Sequence, residues 1–348
     1  MKVLCGLGML VGLAVLGAGQ PMAHAQTTIK VMVPTGVKEE LADLEARLPN
    51  LELIEPEPER ILEVVPECDA IIGLIYGRNA REILRRGKNL RWIHSTSAGV
   101  ENIVHLPEMQ NSDIVLTNAK IIQGPEIADH AFALLLTHTR NLKQFNEAMS
   151  DGWMQGLDNP RLPIIELRGK TMLIIGLGGI GTQLAQRAAA FGMRVLAVDP
   201  KDIPLRRDVE YVGKPDELND LLPEADVVVS SVPHTPASEG MIGEEQFDLM
   251  KDGVYFINVS RGKIVQTDAL VAALQSGKVR AAGLDVIDPE PLPSEHPLWE
   301  MGNVIITPHI AFSSDQAWGR QVKLMQANIE RFVTGQPLLH VVNQAAGF

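Results

Sequence analysis

The sequence predicts an α/β protein made of two doubly wound parallel-sheet domains. The prediction depends on two series of short apolar runs that alternate with helical stretches, and on a glycine-rich turn that opens the second series. A chain of 348 residues also suits two domains better than one compact core. Apolar residues make up 45% and charged residues 21% of the chain, which is ordinary globular composition and argues against disorder.

The first series of apolar runs begins at Thr28. Its members are bounded by turn residues and interleaved with the helical stretches EELADLEARL and NAREILRRG. Short apolar runs in this setting predict parallel strands that are covered on both faces. The predicted strands are IKVMVP, LELIEP, DAIIGLIY, LRWIHSTSAG and IVLTNAK.

A long helix is predicted to connect the two series. Gly124-Pro125-Glu126 is a good helix start, and apolar periodicity continues through IADHAFALLLTHTRNLKQFNEAM. A loop rich in Gly, Asn and Pro follows, and a helix near the C-terminus is expected to end at Gly335. Between them, six strands predict the second doubly wound sheet: TMLIIG, RVLAVDP, ADVVVSSVP, VYFINVS, VRAAGLDV and NVIITP.

The glycine-rich turn predicts a dinucleotide site. In such a turn the first glycine allows the tight bend, the second lets the backbone approach a pyrophosphate, and the third lets helix and strand pack closely. The following helix would direct its N-terminal N–H groups at the phosphates. The motif alone is weak evidence, but here it lies between a strand and a helix. The residues are Gly176, Leu177, Gly178, Gly179, Ile180 and Gly181.

Asp199 strengthens this prediction and bears on the choice of cofactor. It ends the strand that follows the glycine-rich turn and its helix. A carboxylate there can accept hydrogen bonds from the ribose hydroxyls of NAD but repels the 2′-phosphate of NADP. Lys201 could partly offset the repulsion. We therefore expect NAD; the structural alternative is a glycine turn that holds no ligand.

Further strands of the second sheet end in charged or titratable residues: Arg261 in NVSRG, Asp285 and Glu290 in LDVIDPEP, and His309 in TPH. The carboxyl ends of such strands form the ligand crevice. An arginine can hold a carboxylate with its planar fork, and a histidine can exchange a proton near neutral pH. A glutamate beside the histidine orients the ring and stabilises its charged form. Together these residues suit the reduction of a 2-keto acid.

Each of these residues also has a structural interpretation. Arg261 could form a surface ion pair, Glu290 could be a solvated loop carboxylate, and His309 could cap a strand. As a set on one sheet edge they favour catalysis. The remaining histidines lack metal-ligand spacing and suit packed or solvated roles, so no metal is expected: His94, His105, His130, His138, His234, His296 and His340.

From Thr28 to the C-terminus the chain resembles the D-isomer-specific 2-hydroxyacid dehydrogenases. The resemblance lies in LRGKTMLIIGLGGIG, VPHTP, INVSRGKIV, GLDVIDPEPLP and ITPHIA. It implies that Arg261 binds the substrate and that Glu290 pairs with His309. It also implies that STSAGVEN is the substrate loop, in which backbone N–H groups around Ala98, Gly99 and Val100 hold the carboxylate. Formate dehydrogenases carry Gln where Glu290 stands, so formate is not the expected substrate.

The resemblance also implies a domain plan and further cofactor contacts. The substrate domain would be split, with residues 26–123 and 313–348 flanking an NAD domain at residues 124–312, and the protein would be a homodimer. Asp285 would help to hold the nicotinamide side. The other cofactor contacts expected outside the glycine-rich turn are Val232, Pro233, Thr235, Val259, Ser260 and His309.

These observations predict an NAD-dependent oxidoreductase acting on a small D-2-hydroxy acid or 2-keto acid, with glyoxylate or hydroxypyruvate as plausible substrates. A non-catalytic NAD-binding recognition protein of the same fold is the alternative. The charge balance bears on partners: 31 Lys and Arg against 43 Asp and Glu give a formal net charge of −12. Such a surface repels phosphate backbones and anionic lipids, so nucleic acid is not an expected partner.

Residues 1–25 have the layout of a secretory signal peptide. Lys2 precedes an uncharged apolar run, and the small-x-small site Ala23-His24-Ala25 follows it. We expect cleavage after Ala25 and export, to the periplasm if the source has two membranes. A retained membrane anchor and a misplaced start codon on a cytoplasmic protein are the alternatives. Cleavage would leave Cys68 as a single thiol, so no internal disulfide is expected.

Overall fold

The computed structural model describes residues 27–73, 79–149 and 163–348. The predicted signal peptide lies outside the described residues, as does nearly all of the predicted loop rich in Gly, Asn and Pro. The described chain forms two parallel sheets, each flanked by helices. The two doubly wound α/β domains expected from the sequence are therefore confirmed.

The first sheet has five parallel strands in the order β2-β1-β3-β4-β5, which is the flavodoxin-like order. Its strands are β1 Ile29–Met32, β2 Leu51–Ile54, β3 Ala70–Ile72, β4 Trp92–His94 and β5 Val115–Thr117. The helices around it are α1 Val37–Glu40, α2 Ala42–Arg47, α3 Ile61–Val64, α4 Ala80–Arg86, α5 Glu101–Val104 and α6 Pro107–Gln110.

The predicted connecting helix is two helices. Helix α7 spans Gly124–Thr139 and α8 spans Leu142–Met149. Between them Asn141 adopts φ 53°, in the left-handed region that breaks a right-handed helix and that Asn tolerates better than most residues. The apolar periodicity continues across the break, so the sequence pattern did not reveal it.

The second sheet has seven parallel strands in the order β12-β11-β10-β9-β6-β7-β8, a Rossmann order with one added strand. Its strands are β6 Thr171–Ile175, β7 Arg194–Val198, β8 Tyr211–Gly213, β9 Val227–Ser230, β10 Val254–Asn258, β11 Val279–Leu284 and β12 Val304–Ile306. The helices are α9 Gly179–Ala190, α10 Leu218–Leu221, α11 Glu244–Leu249 and α12 Thr267–Ser276.

Strand β8 was missing from the six predicted strands. It has three residues at the edge of the sheet, and Tyr211 is exposed there, so the segment lacks the apolar run that marks the buried strands. The strand order reverses between β6 and β9, which both start from the centre of the sheet. A ligand of such a sheet binds outside the carboxyl ends of these strands.

The chain returns to the first sheet through helix α13, Ala317–Val333. Three apolar side chains of α13, Val322, Met325 and Ile329, pack in the same core cluster as strand β1. Gly335 follows with φ 72° and ends the helix, as predicted. The predicted domain boundaries remain a prediction, although this return to the first sheet is what a split domain requires. Within the described ranges, no helix is long and apolar enough to cross a membrane.

Candidate active site

The glycine-rich turn between β6 and α9 has the shape that a pyrophosphate requires. Gly176 has φ 94°, and a β-carbon on Gly181 would overlap the carbonyl oxygen of Gly176. A β-carbon on Gly178 would meet no heavy atom of the described residues within 4 Å, so the backbone there is open to a ligand. These three observations match the roles of the first, second and third glycines in a dinucleotide turn.

Gly179 and Ile180 have a different environment from the three fingerprint glycines. A β-carbon on Gly179 would lie 2.5 Å from the Cα atom of Ile121, in the segment between β5 and α7. Ile121 itself has φ 78°, which is a strained conformation for a β-branched residue. Ile180 is half-buried and packs against the core between α7 and the second sheet. Gly179 therefore allows the chain that links the domains to pass close to the turn.

Asp199 lies at the carboxyl end of β7, beside the turn. Its carboxylate is 7% exposed, and it accepts hydrogen bonds from the backbone N–H groups of Leu177 and Lys201, each at 2.9 Å. One bond reaches each oxygen, so a lone pair on each remains for a ribose hydroxyl. The residues of this crevice thus fit a dinucleotide.

The predicted contacts in VPHTP lie beside the turn. The Val232 side chain would be 2.8 Å from a β-carbon on Gly176. Pro233 is exposed, whereas Thr235 is buried and its N–H donates to Ser238 Oγ at 2.9 Å. The loop after β9 therefore forms one wall of the same crevice.

Val259 and Ser260 follow β10 and are both buried. The Ser260 hydroxyl lies 2.7 Å from Asn258 Oδ1 and 2.8 Å from Ser230 Oγ, which joins the ends of β9 and β10. The side chain of Ser260 thus braces the crevice, while Arg261 comes next in the chain.

His309 and Glu290 form a pair at the end of the sheet. Nδ1 of His309 lies 3.1 Å from Glu290 Oε2, and the other Glu290 oxygen accepts the Ile287 N–H at 3.0 Å. Both side chains are about two-fifths exposed, at 41% and 40%. Because the carboxylate engages Nδ1, the Nε2 atom of His309 is the nitrogen that can exchange a proton with a substrate.

Asp285 supports the loop that carries His309. Its carboxylate is 3% exposed and accepts hydrogen bonds from Thr307 Oγ1 at 2.7 Å, Ile310 N at 2.9 Å and Ala311 N at 3.0 Å. Its carbonyl oxygen also accepts the His309 N–H at 2.9 Å. His309 has φ 53°, and these bonds hold the strained conformation. Its expected role toward the nicotinamide remains a prediction.

His130, which the sequence suggested as a packed or solvated residue, joins the same network. Its Nε2 atom lies 2.9 Å from Thr307 Oγ1, and it is 3.6 Å from the Asp285 carboxylate. Helix α7 thereby contacts the loop that carries His309. Neither His130 nor Thr307 was expected to act there, because the contact joins residues that are 177 positions apart in the chain.

Arg261 faces the first domain. Its Nε donates to Glu101 Oε1 at 3.0 Å, and its Nη1 donates to the carbonyl oxygen of Ser260 at 2.7 Å. A β-carbon on Gly99 would overlap Arg261 Nη2, so the glycine makes room for the guanidinium. A guanidinium has five N–H groups, and these two bonds leave N–H groups on both terminal nitrogens for a carboxylate. Arg261 and the predicted substrate loop are therefore adjacent.

The other members of the predicted substrate loop are held in place by the first domain. The Ala98 carbonyl accepts a hydrogen bond from Asn118 Nδ2 at 2.6 Å, and Val100 is 1% exposed in the core. Glu101 was missed in the sequence, although it lies in the STSAGVEN stretch. Within the described part of the chain, no group of three His, Cys, Asp or Glu side chains could hold a metal ion.

The fold and this site together define a dinucleotide-binding α/β protein of the dehydrogenase type. Residues 132–311 match the family model described as D-isomer specific 2-hydroxyacid dehydrogenase, NAD binding domain. The chain belongs to this family, which confirms the resemblance found in the sequence.

Two curated relatives show how far the similarity extends. A glyoxylate reductase from Korarchaeum cryptofilum is 34% identical over 293 residues, which cover 83% of this chain and 87% of the relative. A D-3-phosphoglycerate dehydrogenase from Archaeoglobus fulgidus is 35% identical over 320 residues, or 90% of this chain. The matched region spans 59% of that longer relative.

Solved structures share the fold over nearly the whole chain. A D-isomer specific 2-hydroxyacid dehydrogenase family protein from Aeromonas salmonicida has a TM-score of 0.78 at 30% identity, covering 92% of this chain and 100% of that one. A D-lactate dehydrogenase from Aquifex aeolicus, solved with NAD and lactic acid, has a TM-score of 0.70 at 30% identity, with 88% and 96% coverage. An NADPH-dependent glyoxylate/hydroxypyruvate reductase from Sinorhizobium meliloti, solved with NADP and sulfate, has a TM-score of 0.76 at 26% identity, with 92% and 100% coverage.

Proposed function

We propose that this chain is an NAD-dependent oxidoreductase that interconverts a small D-2-hydroxy acid and its 2-keto acid. The observation that carries the proposal is the grouping of Arg261, Glu290 and His309 after the adjacent strands β10, β11 and β12. These strands belong to the sheet whose β6–α9 turn fits a dinucleotide. Glyoxylate and hydroxypyruvate are the proposed substrate type, since relatives named for these reductase activities cover most of the chain.

Each residue of the site has a separate role in the proposed reaction. Bound NAD would supply or accept the hydride at C2 of the substrate. Arg261 would hold the substrate carboxylate with its free N–H groups and polarise the keto oxygen, while the backbone around Gly99 lies against the guanidinium. His309 Nε2 would donate a proton to the keto oxygen in reduction and accept it in oxidation. Glu290, bonded to Nδ1, fixes the orientation of the ring.

NAD is the proposed cofactor, on the strength of Asp199. A buried carboxylate at the end of β7 can bind ribose hydroxyls but repels a 2′-phosphate. A D-lactate dehydrogenase solved with NAD and a glyoxylate/hydroxypyruvate reductase solved with NADP show that both cofactors occur on this fold. The fold alone therefore does not indicate the cofactor, and the proposal of NAD depends on the charge of Asp199.

The decisive experiment mixes purified protein with NADH and a panel of small 2-keto acids while NADH absorbance is followed. Turnover is expected with glyoxylate or hydroxypyruvate, and His309→Asn is expected to abolish turnover while NADH still binds. If the wild-type protein binds NADH but reduces none of the acids, the chain is a recognition protein and the proposed function is wrong.

We also propose that the protein is a homodimer, as the resemblance implies for helix α7 and the arm that follows it. The arm falls largely outside the described residues, so the support is the family relationship. Light scattering of the purified protein is expected to give twice the chain mass. A single-chain mass would contradict the proposal without affecting the catalytic one.

A further inference from the structure

The segment after helix α13 extends the first sheet. Thr117 of β5 forms an antiparallel bridge with Val341, and the Val342 N–H donates to the Leu116 carbonyl at 2.8 Å. Lys120 Nζ donates to the Val341 carbonyl, also at 2.8 Å. Residues 340–342 are therefore fixed along the edge of the first domain, close to the chain that links it to the second.

The following residues cross toward the second domain and fold into a tight loop. The N–H groups of Ala346 and Gly347 donate to the side chain and carbonyl of Asn343, at 3.1 and 2.9 Å. Gly347 is buried, and a β-carbon there would lie 3.7 Å from Thr235 Cγ2 and 3.8 Å from the His105 ring. The loop therefore lies between helix α5 of the first domain and the VPHTP loop after β9.

Phe348 reaches the loop on the other side of β6. Its ring centroid is 4.7 Å from Lys201 Nζ, within the range of a cation–π interaction. The backbone N–H of Lys201 donates to Asp199, the carboxylate proposed to bind the ribose. Residues 343–348 thus contact the loops after β7 and after β9, and these strands flank β6 on either side. This is where the dinucleotide crevice of such a sheet lies.

The segment stands beside the crevice and leaves the phosphate position open. A β-carbon on Gly178 meets no described heavy atom within 4 Å, so no atom of residues 343–348 lies that close to the second glycine of the turn. Their contacts with the second domain are with Lys201, in the loop that begins with the proposed ribose carboxylate Asp199, and with Thr235 in the loop after β9. Such a placement suits a wall of the adenosine end of the site.

We propose that residues 343–348 form part of the dinucleotide site, and that Phe348 holds the Lys201 ammonium away from the position of a 2′-phosphate. The Lys201 ammonium, which could otherwise favour NADP, then interacts with the Phe348 ring. The Asp199 carboxylate is left as the group that selects NAD. This inference depends on the proposed use of NAD. It adds a specificity-determining residue, Phe348, that lies 149 positions from Asp199 in the sequence.

The test measures the dissociation constants of NADH and NADPH directly, by quenching of protein fluorescence in the absence of substrate. Phe348→Leu keeps an apolar side chain but removes the aromatic face. It is expected to shift the affinity ratio toward NADPH on the order of threefold, the equivalent of one exposed cation–π contact. Phe348→Ala is expected to give the same shift and to weaken the binding of both nucleotides as well.

Two further variants make the test specific. In a Lys201→Ala background the Phe348→Leu change is expected to leave the ratio unaltered, because the released ammonium is gone. Phe191→Leu, at a half-exposed phenylalanine that stacks on Phe132 after α9, is the matched control and should leave both constants unchanged.

Three results would overturn the inference: unchanged constants in both Phe348 variants, a ratio shift that persists in the Lys201→Ala background, or a wild type that prefers NADPH. The first two leave the proposed function standing if the wild type still binds NADH. A wild type that binds neither nucleotide would refute both.

Discussion

At the scale of single residues, Arg261 depends on partners from both domains. Glu101 at the start of α5 accepts from its Nε, and Ser260 beside it accepts from its Nη1. The Arg261 side chain is 30% exposed and that of Glu101 is 25% exposed, so the pair is partly shielded from water. A carboxylate and a carbonyl thus fix the orientation of the guanidinium before any substrate arrives. The planar fork can then meet a substrate carboxylate with little loss of conformational freedom.

Replacement of Arg261 by Lys tests whether the fork matters. Lysine keeps the charge but loses the paired N–H groups, so Arg261→Lys is expected to cost about 2 to 4 kcal/mol of transition-state binding. The effect should appear as a lower kcat/KM for the keto acid, with NADH binding unchanged. Arg85→Lys, at an exposed arginine that pairs with Glu108 in the first domain, is the control and should leave kcat/KM as in the wild type. Near-normal turnover of Arg261→Lys would remove Arg261 from the site.

The pairing of Glu290 with His309 predicts a pH effect. Reduction needs the charged imidazole as proton donor, whereas oxidation needs the neutral ring as acceptor, so reduction should fall and oxidation should grow as pH rises. The Glu290 carboxylate, 3.1 Å from Nδ1, fixes the ring so that Nε2 faces the substrate. Glu290→Gln is therefore expected to lower the rate in both directions across the whole pH range, with NADH binding unchanged. Equal rates for wild type and variant at every pH would refute the pairing.

At the scale of secondary-structure elements, strand β4 ends in a histidine that the proposed mechanism does not use. His94 is fully buried, and its Nδ1 lies 2.8 Å from Thr117 Oγ1 on the neighbouring strand β5. Thr117 Oγ1 also accepts from Trp92 Nε1 at 2.8 Å. Burial, with a smaller effect of nearby His340, lowers the pKa of His94 to about 4. The ring is therefore neutral in the folded protein near neutral pH.

This lowered pKa predicts acid sensitivity with a defined sign. Between the ordinary histidine value of 6.5 and about 4, the unfolded chain binds a proton at His94 and the folded chain does not. The loss of unfolding free energy that is linked to His94 is therefore absent above about pH 6.5. It grows as the pH drops through this window, to roughly 3 kcal/mol. His94→Leu should remove this part of the acid loss in urea unfolding, and the exposed His105→Gln should not. An equal acid loss in wild type and His94→Leu would contradict the assignment.

The position of Asp199 beside the β6–α9 turn predicts how its replacement changes the preference between NADH and NADPH. Asp199→Ser removes the carboxylate that repels a 2′-phosphate and one or both ribose contacts. It is expected to weaken NADH binding and to reduce the difference in affinity between NADH and NADPH. Because Asp199 also accepts from Leu177 and Lys201, thermal unfolding of the variant must be measured alongside, with Asp199→Asn as the milder change. A variant that keeps the wild-type preference would show that another group selects the cofactor.

Across the whole molecule, the candidate site lies where the two domains meet. Arg261, Glu290 and His309 come from the second sheet, whereas Gly99 and Glu101 come from the first. Arg320 of α13 also donates to the Ile122 carbonyl at 2.9 Å and pairs with Glu126 at the start of α7. The returning helix is therefore tied to the linking segment, close to the glycine-rich turn that Ile121 approaches.

The proposed export of the protein is also a property of the whole chain. The first described strand begins at Ile29, after the predicted cleavage site. An exported chain would have to acquire NAD outside the cytoplasm. N-terminal sequencing of protein from fractionated source cells is expected to read from Gln26 in the exported fraction. A cytoplasmic pool that retains Met1 would contradict export and leave the enzymatic proposal intact.

The sequence was sufficient to predict the α/β class, most of the strands and the glycine-rich turn, and to suggest the residues of the proposed catalytic set. These features are local: alternating apolar runs, glycines at fixed spacing, and charged residues that directly follow strands. It failed where the local pattern was weak, at the three-residue strand β8, or where it continued unbroken, as it did across Asn141.

The three-dimensional structure was needed to learn which side chains meet. The pairing of Arg261 with Glu101 spans 160 positions, and the contact of His130 with Thr307 spans 177. It also showed that Asp285 is occupied in holding the His309 loop, and that Phe348 lies over Lys201. Such contacts depend on how two sheets and a returning helix are packed together. Periodicity and spacing along the chain carry no record of that arrangement.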